Sequence, residues 1–298
     1  MFLVEKNETM IVVRLSGGLG NQLFQYAAGR RLAHILCAEL VLDLNWYAHI
    51  PSSDTPRIYE LSHYPIHART TTSGESLWCR LHDGRLLRRL SLLPRRWRHC
   101  REKSFAFEPL FLDLSDNTYL DGYWQSYHYF EDVSDLIRAE LMPIVSFSVQ
   151  DNKVATLIAA ENAVSVHVRR GDYVTNQTAL GHHGLCSLDY YNEALERMLL
   201  YVARPHFFIF SDDPAWTREN LRLPGPATFV NHNGPDTAFQ DLRLMSLCNH
   251  QITANSSFSW WGAWLNQYPE KMVIAPKRWF NQTSHDTSDL LPDSWIKL

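Results

Sequence analysis

Cysteine is scarce in this chain: five residues in 298, at 37, 79, 100, 186 and 248, with no two closer than 21 positions. An odd, dispersed set of this kind excludes a zinc ribbon and a disulfide framework, and it fits a reducing compartment. Long apolar runs are missing as well. Nothing approaches the ~18 apolar residues of a membrane-spanning helix, and the opening Met1-Phe-Leu-Val-Glu-Lys6 meets charge before a signal core can form. A cytoplasmic protein is expected, at most attached to the inner face of a membrane. Excess positive charge is absent too. With 28 Lys and Arg against 32 Asp and Glu the net charge is -4, so no nucleic-acid partner is expected. The sequence holds neither His-Glu-x-x-His nor a cysteine cluster, and no metal is expected.

What is present begins with length. At 298 residues the chain is long for one core, and two domains are expected, 1–155 and 156–298. Met10-Ile-Val-Val-Arg-Leu15 is a β-branched run that stops at Ser16-Gly17-Gly18-Leu19-Gly20-Asn21-Gln22. Leu23, Phe24, Ala27, Ala28, Ile35 and Leu36 then share one face at helical period while Arg30, Arg31 and His34 fall off it, which predicts a helix; Leu40–Leu44 is the next strand. Such a strand, glycine loop, helix and strand place an anion at a helix amino end. The third glycine of a dinucleotide fingerprint is replaced by Leu23, and the Lys-Ser/Thr of a P-loop is missing. Arg80 to Lys103 packs nine basic residues among Leu86, Leu87, Leu90, Leu92, Leu93 and Trp97. It reads as a solvated helical face with an apolar underside, or as a surface for anionic lipid head groups. From Tyr119 to Phe130, aromatics gather with Asp121, Trp124, Gln125 and His128, a mixture that suits either core packing or a sugar ring.

The second half is more regular. Val164–Val168, His206–Phe210, Ala227–Val230, Gln251–Ala254 and Met272–Ala275 read as strands. Helices are expected at about Ser187–Ala203, from Pro214, over Asp236–Cys248 and through Trp260, Trp261 and Trp264. This alternation predicts a parallel sheet with helices on both faces, whose strands all end along one ligand-binding edge. The clusters Arg169-Arg170-Gly171-Asp172, Ser211-Asp212-Asp213, Asn231-His232 and Asn255-Ser256-Ser257 should therefore share a crevice. Their chemistry suits a nucleoside diphosphate. Arginine forks match a diphosphate, serines at a helix start donate to phosphate oxygens, and Asp212 or Asp213 can accept from guanine while one of them caps a helix. Adjacent aspartates at a strand end point to different sides and make a poor divalent site, so the positive charge falls to Arg169 and Arg170. The plainer alternative is that the arginines and aspartates only pair with each other.

His167-Val-Arg-Arg-Gly-Asp172, Gly17-Gly-Leu-Gly-Asn-Gln-Leu-Phe-Gln25 and Ala254-Asn-Ser-Ser-Phe-Ser-Trp-Trp-Gly-Ala-Trp264 resemble the bacterial α-1,2-fucosyltransferases over nearly the whole chain. The resemblance implies an α/β, GT-B-like fold of two Rossmann-like domains facing across a cleft, the first on the acceptor side and the second binding GDP-fucose. It implies an inverting, metal-independent galactoside 2-α-L-fucosyltransferase of O-antigen or surface polysaccharide biosynthesis, without a cofactor. The acceptor is then a galactose-terminated oligosaccharide, free or lipid-linked, and residues 80–103 offer a peripheral membrane contact. Residue by residue, His167 and Asp213 fall on guanine-binding positions and one of Arg169 and Arg170 on the β-phosphate position. Gly20, Asn21 and Gln22 come over the donor phosphates, and Asp212, Asn255, Ser256 and Ser257 complete the donor set. Asp121, Trp124, Gln125 and His128 are acceptor candidates. For the catalytic base, Asp172 comes first and the Asp121/His128 region second. Another fucosyl linkage or GDP-mannose as donor remains open. A nicotinamide oxidoreductase or a non-catalytic glycan-binding module fits less well, given the missing glycine and the strand-end arginines.

Overall fold

The β-branched run Met10–Arg14 (β1) is the central strand of a five-stranded parallel sheet in the computed structural model, which describes residues 9–51, 54–76, 79, 98–171, 174, 176, 180–182, 184–281 and 285–298. Glu39–Asp43 (β2) and Thr118–Asp121 (β5) flank it. Arg69–Thr70 (β3) lies beyond β2 and Arg98–Arg101 (β4) beyond β5, giving the order β3-β2-β1-β5-β4. Ile11, Val12 and Val13 are all buried, as expected of a parallel strand covered on both faces. A helix, α1 (Leu19–Ile35), links β1 to β2. The expected apolar face of α1 is only partly right. Ile35 is 52% exposed, whereas Arg31 is buried and bonds the Asp132 carboxylate and the Leu112 carbonyl. Arg30 grips Glu140 through Nε at 3.0 Å and Nη2 at 2.9 Å, and the Tyr26 hydroxyl donates to the same carboxylate. The helix is enclosed by segments from residues 112–140 as well as by the sheet, so Arg30 meets the buried Glu140 and Arg31 reaches the exposed Asp132 from within, while His34 stays exposed.

The second sheet has six parallel strands: Asn162–Val168 (β6), Pro205–Ser211 (β7), Ala227–Val230 (β8), His250–Ile252 (β9), Val273–Ala275 (β10) and Ile296–Lys297 (β11). Their order is β11-β10-β9-β6-β7-β8. Counted from β6, this is the 3-2-1-4-5-6 order of a dinucleotide-binding fold. Ser134–Glu140 (α2) and Val149–Ala160 (α3) precede it, and Leu188–Tyr201 (α4), Pro214–Asn220 (α5), Ala238–Leu247 (α6) and Ser257–Leu265 (α7) connect its strands. Val164, Val166 and Val168 enter the core that α4 covers, while Ala163 joins Phe208, Phe210, Leu244 and Met245 on the opposite face. That split follows from the two-residue period of a strand.

The expected α/β class with two Rossmann-like, parallel-sheet units is thus observed. The chain divides after Leu141, earlier than the expected 155, with residues 52–55 going to the second unit. The reason is α3, whose Ile158 packs in the core of the second sheet. Most of the basic stretch 80–103 lies outside the described residues. Its visible end, Arg98–Arg101, is an edge strand and not a helical face.

Glu140 anchors α1 through two partners, and its side chain is only 6% exposed. Glu140→Ala leaves Arg30 and Tyr26 without their acceptor and is expected to lower unfolding stability by about 3 kcal/mol, read as a lower urea midpoint at unchanged slope. A loss below about 1 kcal/mol would mean that this cluster is not what seats the helix.

Candidate active site

β6 and β9 are neighbours in space but not in sequence, so their connections leave toward opposite faces and open a crevice at their carboxyl ends. Arg169 and Arg170 follow β6 there, and Asn255, Ser256 and Ser257 follow β9. Both arginines are anchored by the turn after β7. Asp212 receives the Arg170 backbone N–H at 2.8 Å and pairs with Arg169 Nη1 at 2.8 Å. Asp213 caps α5 through the Trp216 N–H at 3.2 Å and takes Arg170 Nε at 3.3 Å. The Arg170 guanidinium also lies 3.6 Å from the centre of the Trp216 ring. This approach explains Gly171, where a Cβ would stand 2.4 Å from Asp212 Oδ2. The expected arginine–aspartate pairing therefore exists, yet it leaves Arg170 incomplete. Among the described residues nothing takes its two terminal nitrogens, so a planar fork, fixed at its base and on one face, stands ready for an anion.

His167 is buried on the same edge, with its ring 5.7 Å from Phe258 of α7. Burial, reinforced by the Arg169 charge, pushes its pKa down to about 3, so the imidazole is neutral at working pH. Its Nδ1 has no partner among the described residues, which is unusual for a buried polar atom and marks a place where a ligand group can bond. Ser256 is the N-cap residue of α7 but its hydroxyl makes no capping bond, and the Ser259 hydroxyl instead receives the Ala254 N–H at 3.2 Å. Asn255 is differently engaged. Its amide donates to the carbonyls of Trp279 at 3.2 Å and Gly184 at 3.4 Å, tying two loops together. The fourth expected cluster does not belong to the crevice. β8 is an edge strand, and His232 and Asn233 beyond it bond Asp151 at 2.8 and 2.9 Å, at the start of α3.

The first sheet has its own divergence point, between β1 and β5. Gly17 takes φ +76°, and Asn21 beyond it accepts from Gln125 at 2.9 Å. Gln22 is fully buried: its amide donates to the carbonyls of Gly17 and Ile58 and accepts the Glu60 N–H, so it builds the loop and offers nothing outward. Gly20, in the first turn of α1, is buried too. Asp121 faces Arg14 at 3.0 Å, His99 at 3.3 Å and Arg101 at 2.7 Å. Burial alone would raise its carboxyl, but bonds from His99, Arg101 and Arg14 outweigh that and hold it well below the usual carboxylate range. A carboxylate so stabilised is a poor proton acceptor, which corrects its place as second candidate for the base. Trp124 is also corrected as a stacking platform, because it is 0% exposed and packs against Phe111 and Tyr129. His128 stays partly exposed, paired with Glu131 at 3.2 Å and set against Tyr127. Asp172, the first candidate for the base, lies outside the described residues. Two residues escaped the sequence reading. One is Trp216, which only a long-range contact with Arg170 reveals. The other is Glu102, whose carboxylate holds the N–H groups of Tyr123 and Trp124 at 2.7 and 2.9 Å and is pushed by burial up to about 7. Among the described residues no three His, Cys, Asp or Glu side chains are grouped to hold a metal ion.

These features leave an anchored arginine fork and an unpartnered buried imidazole nitrogen at one sheet edge among the described residues, and the comparisons give the family. Residues 89–298 match the family described as Glycosyl transferase family 11. The chain is 34% identical, over 95% of its length and 99% of the relative's, to the O-antigen biosynthesis glycosyltransferase WbnK of Escherichia coli. It is 31% identical, over 97% and 99%, to an alpha-1,2-colitosyltransferase of the same organism. The galactoside 2-alpha-L-fucosyltransferase Sec1 of Mus musculus is 25% identical over 87% of this chain and 65% of its own. Among solved structures, the NodZ alpha-1,6-fucosyltransferase soaked with GDP-fucose superposes with a TM-score of 0.49 at 16% identity, covering 87% of this chain and 93% of that one. The chain belongs to glycosyl transferase family 11, the group of the α-1,2-fucosyltransferases and their relatives.

The neutral state of His167 has a measurable consequence. Its folded pKa lies below its unfolded one, so its contribution is complete above about pH 6.5 and is lost as pH falls from there toward 3. Between pH 6.5 and 5 the wild type should lose about 2 kcal/mol that His167→Asn does not lose, as judged by urea unfolding at the two pH values. Parallel pH profiles for the two proteins would contradict the buried, neutral imidazole.

Proposed function

We propose that the protein transfers L-fucose from GDP-fucose to the 2-hydroxyl of a terminal β-galactoside, with inversion at the anomeric carbon and without a metal. The observation that carries this reading is the Arg170 fork, held by Asp213 and Trp216 with its terminal nitrogens uncommitted among the described residues. In the proposed reaction the bond between the fucose anomeric carbon and the β-phosphate oxygen breaks, and the electron pair leaves with GDP. Arg170, with Arg169 behind it and the Ser256 and Ser257 helix end opposite, receives the developing negative charge. The acceptor hydroxyl attacks from the other face of the ring and gives up its proton, for which Asp172 is the proposed base. His167 Nδ1 and the outer face of Asp213 or Asp212 are proposed to meet guanine, while Asn255 acts on the site through the loops that it ties. In the first unit, Asn21, Gln125 and His128 are proposed to face the acceptor, with Gly20, Gln22 and Asp121 building the surface that carries them. Fixed guanidinium charge does the work of a cation here, which is why no metal is proposed. A lipid-linked acceptor, met at the inner face of a membrane through residues 80–103, is compatible with this reading.

A second donor deserves a place because one close relative is named a colitosyltransferase. GDP-colitose differs from GDP-fucose at a single sugar hydroxyl, so the ratio of kcat/KM for the two donors decides between them, and the proposal requires fucose to win.

Arg170→Ala should lower kcat by roughly 10²–10³, the usual effect of losing a donor aimed at developing charge. Arg170→Lys should recover little of it, because an ammonium cannot reproduce the fork or its stacking on Trp216. Product formation from GDP-fucose and a β-galactoside, with the linkage located by NMR, is the assay, and near-wild-type turnover in Arg170→Ala would remove this residue from the mechanism. Activity should also persist in EDTA, and a loss reversed by Mn²⁺ would overturn the metal-free reading.

A further inference from the structure

The ladder between β6 and β9 pairs Val164–Val166 with His250–Ile252 and ends there. One residue past each end, the backbone carbonyl bonds a side chain. His167 O accepts the Tyr191 phenol at 3.0 Å, and Thr253 O accepts the Tyr190 phenol at 2.6 Å. The Tyr190 hydroxyl also approaches Ile274 O of β10 at 3.3 Å. The two tyrosines are consecutive in the first turn of α4, where Ser187 caps the helix by accepting the Tyr190 N–H at 3.2 Å. Both are buried, their rings meet edge to face with centroids 5.1 Å apart, and burial holds both phenols well above their usual pKa, so they remain donors. Cys186, just before the helix, donates to Asn255 Oδ1 at 3.4 Å. One short segment, 186–191, therefore touches both strands at the point where they part.

Diverging strands face a physical problem that paired ones do not. A buried carbonyl that loses its ladder partner must find another donor or the strand end will shift until it does. At His167 the Tyr191 phenol supplies that donor. The Thr253 carbonyl lies on the β10 side of β9, since the Thr253 N–H bonds Ile274 O at 2.9 Å, and the Tyr190 phenol holds it there. One helix turn thus seats the end of each strand separately and with them their spacing. We propose that Tyr190 and Tyr191 are positioning residues that fix the width of the crevice between β6 and β9 and thereby the affinity for the diphosphate of the donor. Neither touches the substrate; they act through His167, which leads into the arginine pair, and through Thr253, which leads into Asn255–Ser257. The inference rests on the donor-site reading given under the proposed function.

GDP binding measured by calorimetry, with Michaelis constants for both substrates, tests it on four variants. Tyr191→Phe and Tyr190→Phe should each weaken GDP by about ten- to hundredfold and raise the donor KM, with the acceptor KM unchanged. Leu195→Ala, in the same helix and the same core but bonded to neither carbonyl, should lower the melting temperature at least as much and leave GDP affinity within about twofold. If one tyrosine variant fails to fold, the other carries the comparison. Wild-type GDP affinity in the tyrosine variants, with binding lost in Arg170→Ala, would overturn the tyrosine inference alone. An equal loss in Leu195→Ala would overturn it too, since general loosening would then explain the effect. Unchanged GDP binding in Arg170→Ala would remove the donor-site reading and this inference with it.

Discussion

An arginine needs fixed surroundings before it can recognise a phosphate, and the carboxyl edge of the second sheet supplies them. Asp212 and Asp213 leave β7 beside the end of β6, so the two strands hold a cation pair and an anion pair next to each other. The contacts are partly exposed, with 18% of the Arg170 side chain and 35% of the Asp213 side chain accessible, so as ion pairs they add little to stability. Their effect is geometric. The aspartates and Trp216 remove the rotational freedom of a long side chain, and the entropy that ordering would cost on binding is already lost in the folded protein. Among the described residues these contacts take the Arg170 guanidinium at Nε and leave its terminal nitrogens available.

The two sheets use their divergence points differently. In the first, the residues at the edge mostly satisfy each other: Gln22 and Asp121 have their partners within the unit, and Gln125 bonds Asn21. In the second, polar capacity is left over in the Arg170 fork and the His167 Nδ1 among the described residues. Trp124 Nε1, just past β5 in the first unit, is also a buried atom without a partner among the described residues, so it is the meeting of His167 Nδ1 with an anchored arginine fork at one edge that points to a ligand.

Much of the second unit was legible because its strands are apolar runs that stop abruptly at polar clusters. Ala227–Val230 was placed to the residue, and Pro214 stands at the start of its helix as its missing N–H suggests. Of the strands that escaped notice, β3 and β11 have two residues each and can show no period, and β4 lay inside the basic stretch read as a helical face. β5 was hidden because all four of its residues are buried and run on into the aromatic stretch, so no alternation marks it. Burial of α1 on more than one side was equally invisible, since Arg31 reads as a surface residue until Asp132 is found 2.9 Å away. At the candidate site, sequence identified which residue types meet but not which of them stay available. That Asn255 would be engaged with Trp279 and Gly184, and Trp124 enclosed by Phe111 and Tyr129, depends on contacts between distant parts of the chain. Tyr190 and Tyr191 fall in the helix expected at about Ser187–Ala203, yet a helical period does not reveal that their hydroxyls bond strand-end carbonyls.

The central claim is that the guanidinium of Arg170, held from below and from one side, is the seat of the donor diphosphate. A crystal structure with GDP bound examines it most directly. The account predicts β-phosphate oxygens within about 3 Å of the Arg170 terminal nitrogens and of the N–H groups at the start of α7, with Arg170 still resting on Trp216. GDP bound elsewhere on the chain, with that arginine turned to solvent, would contradict it.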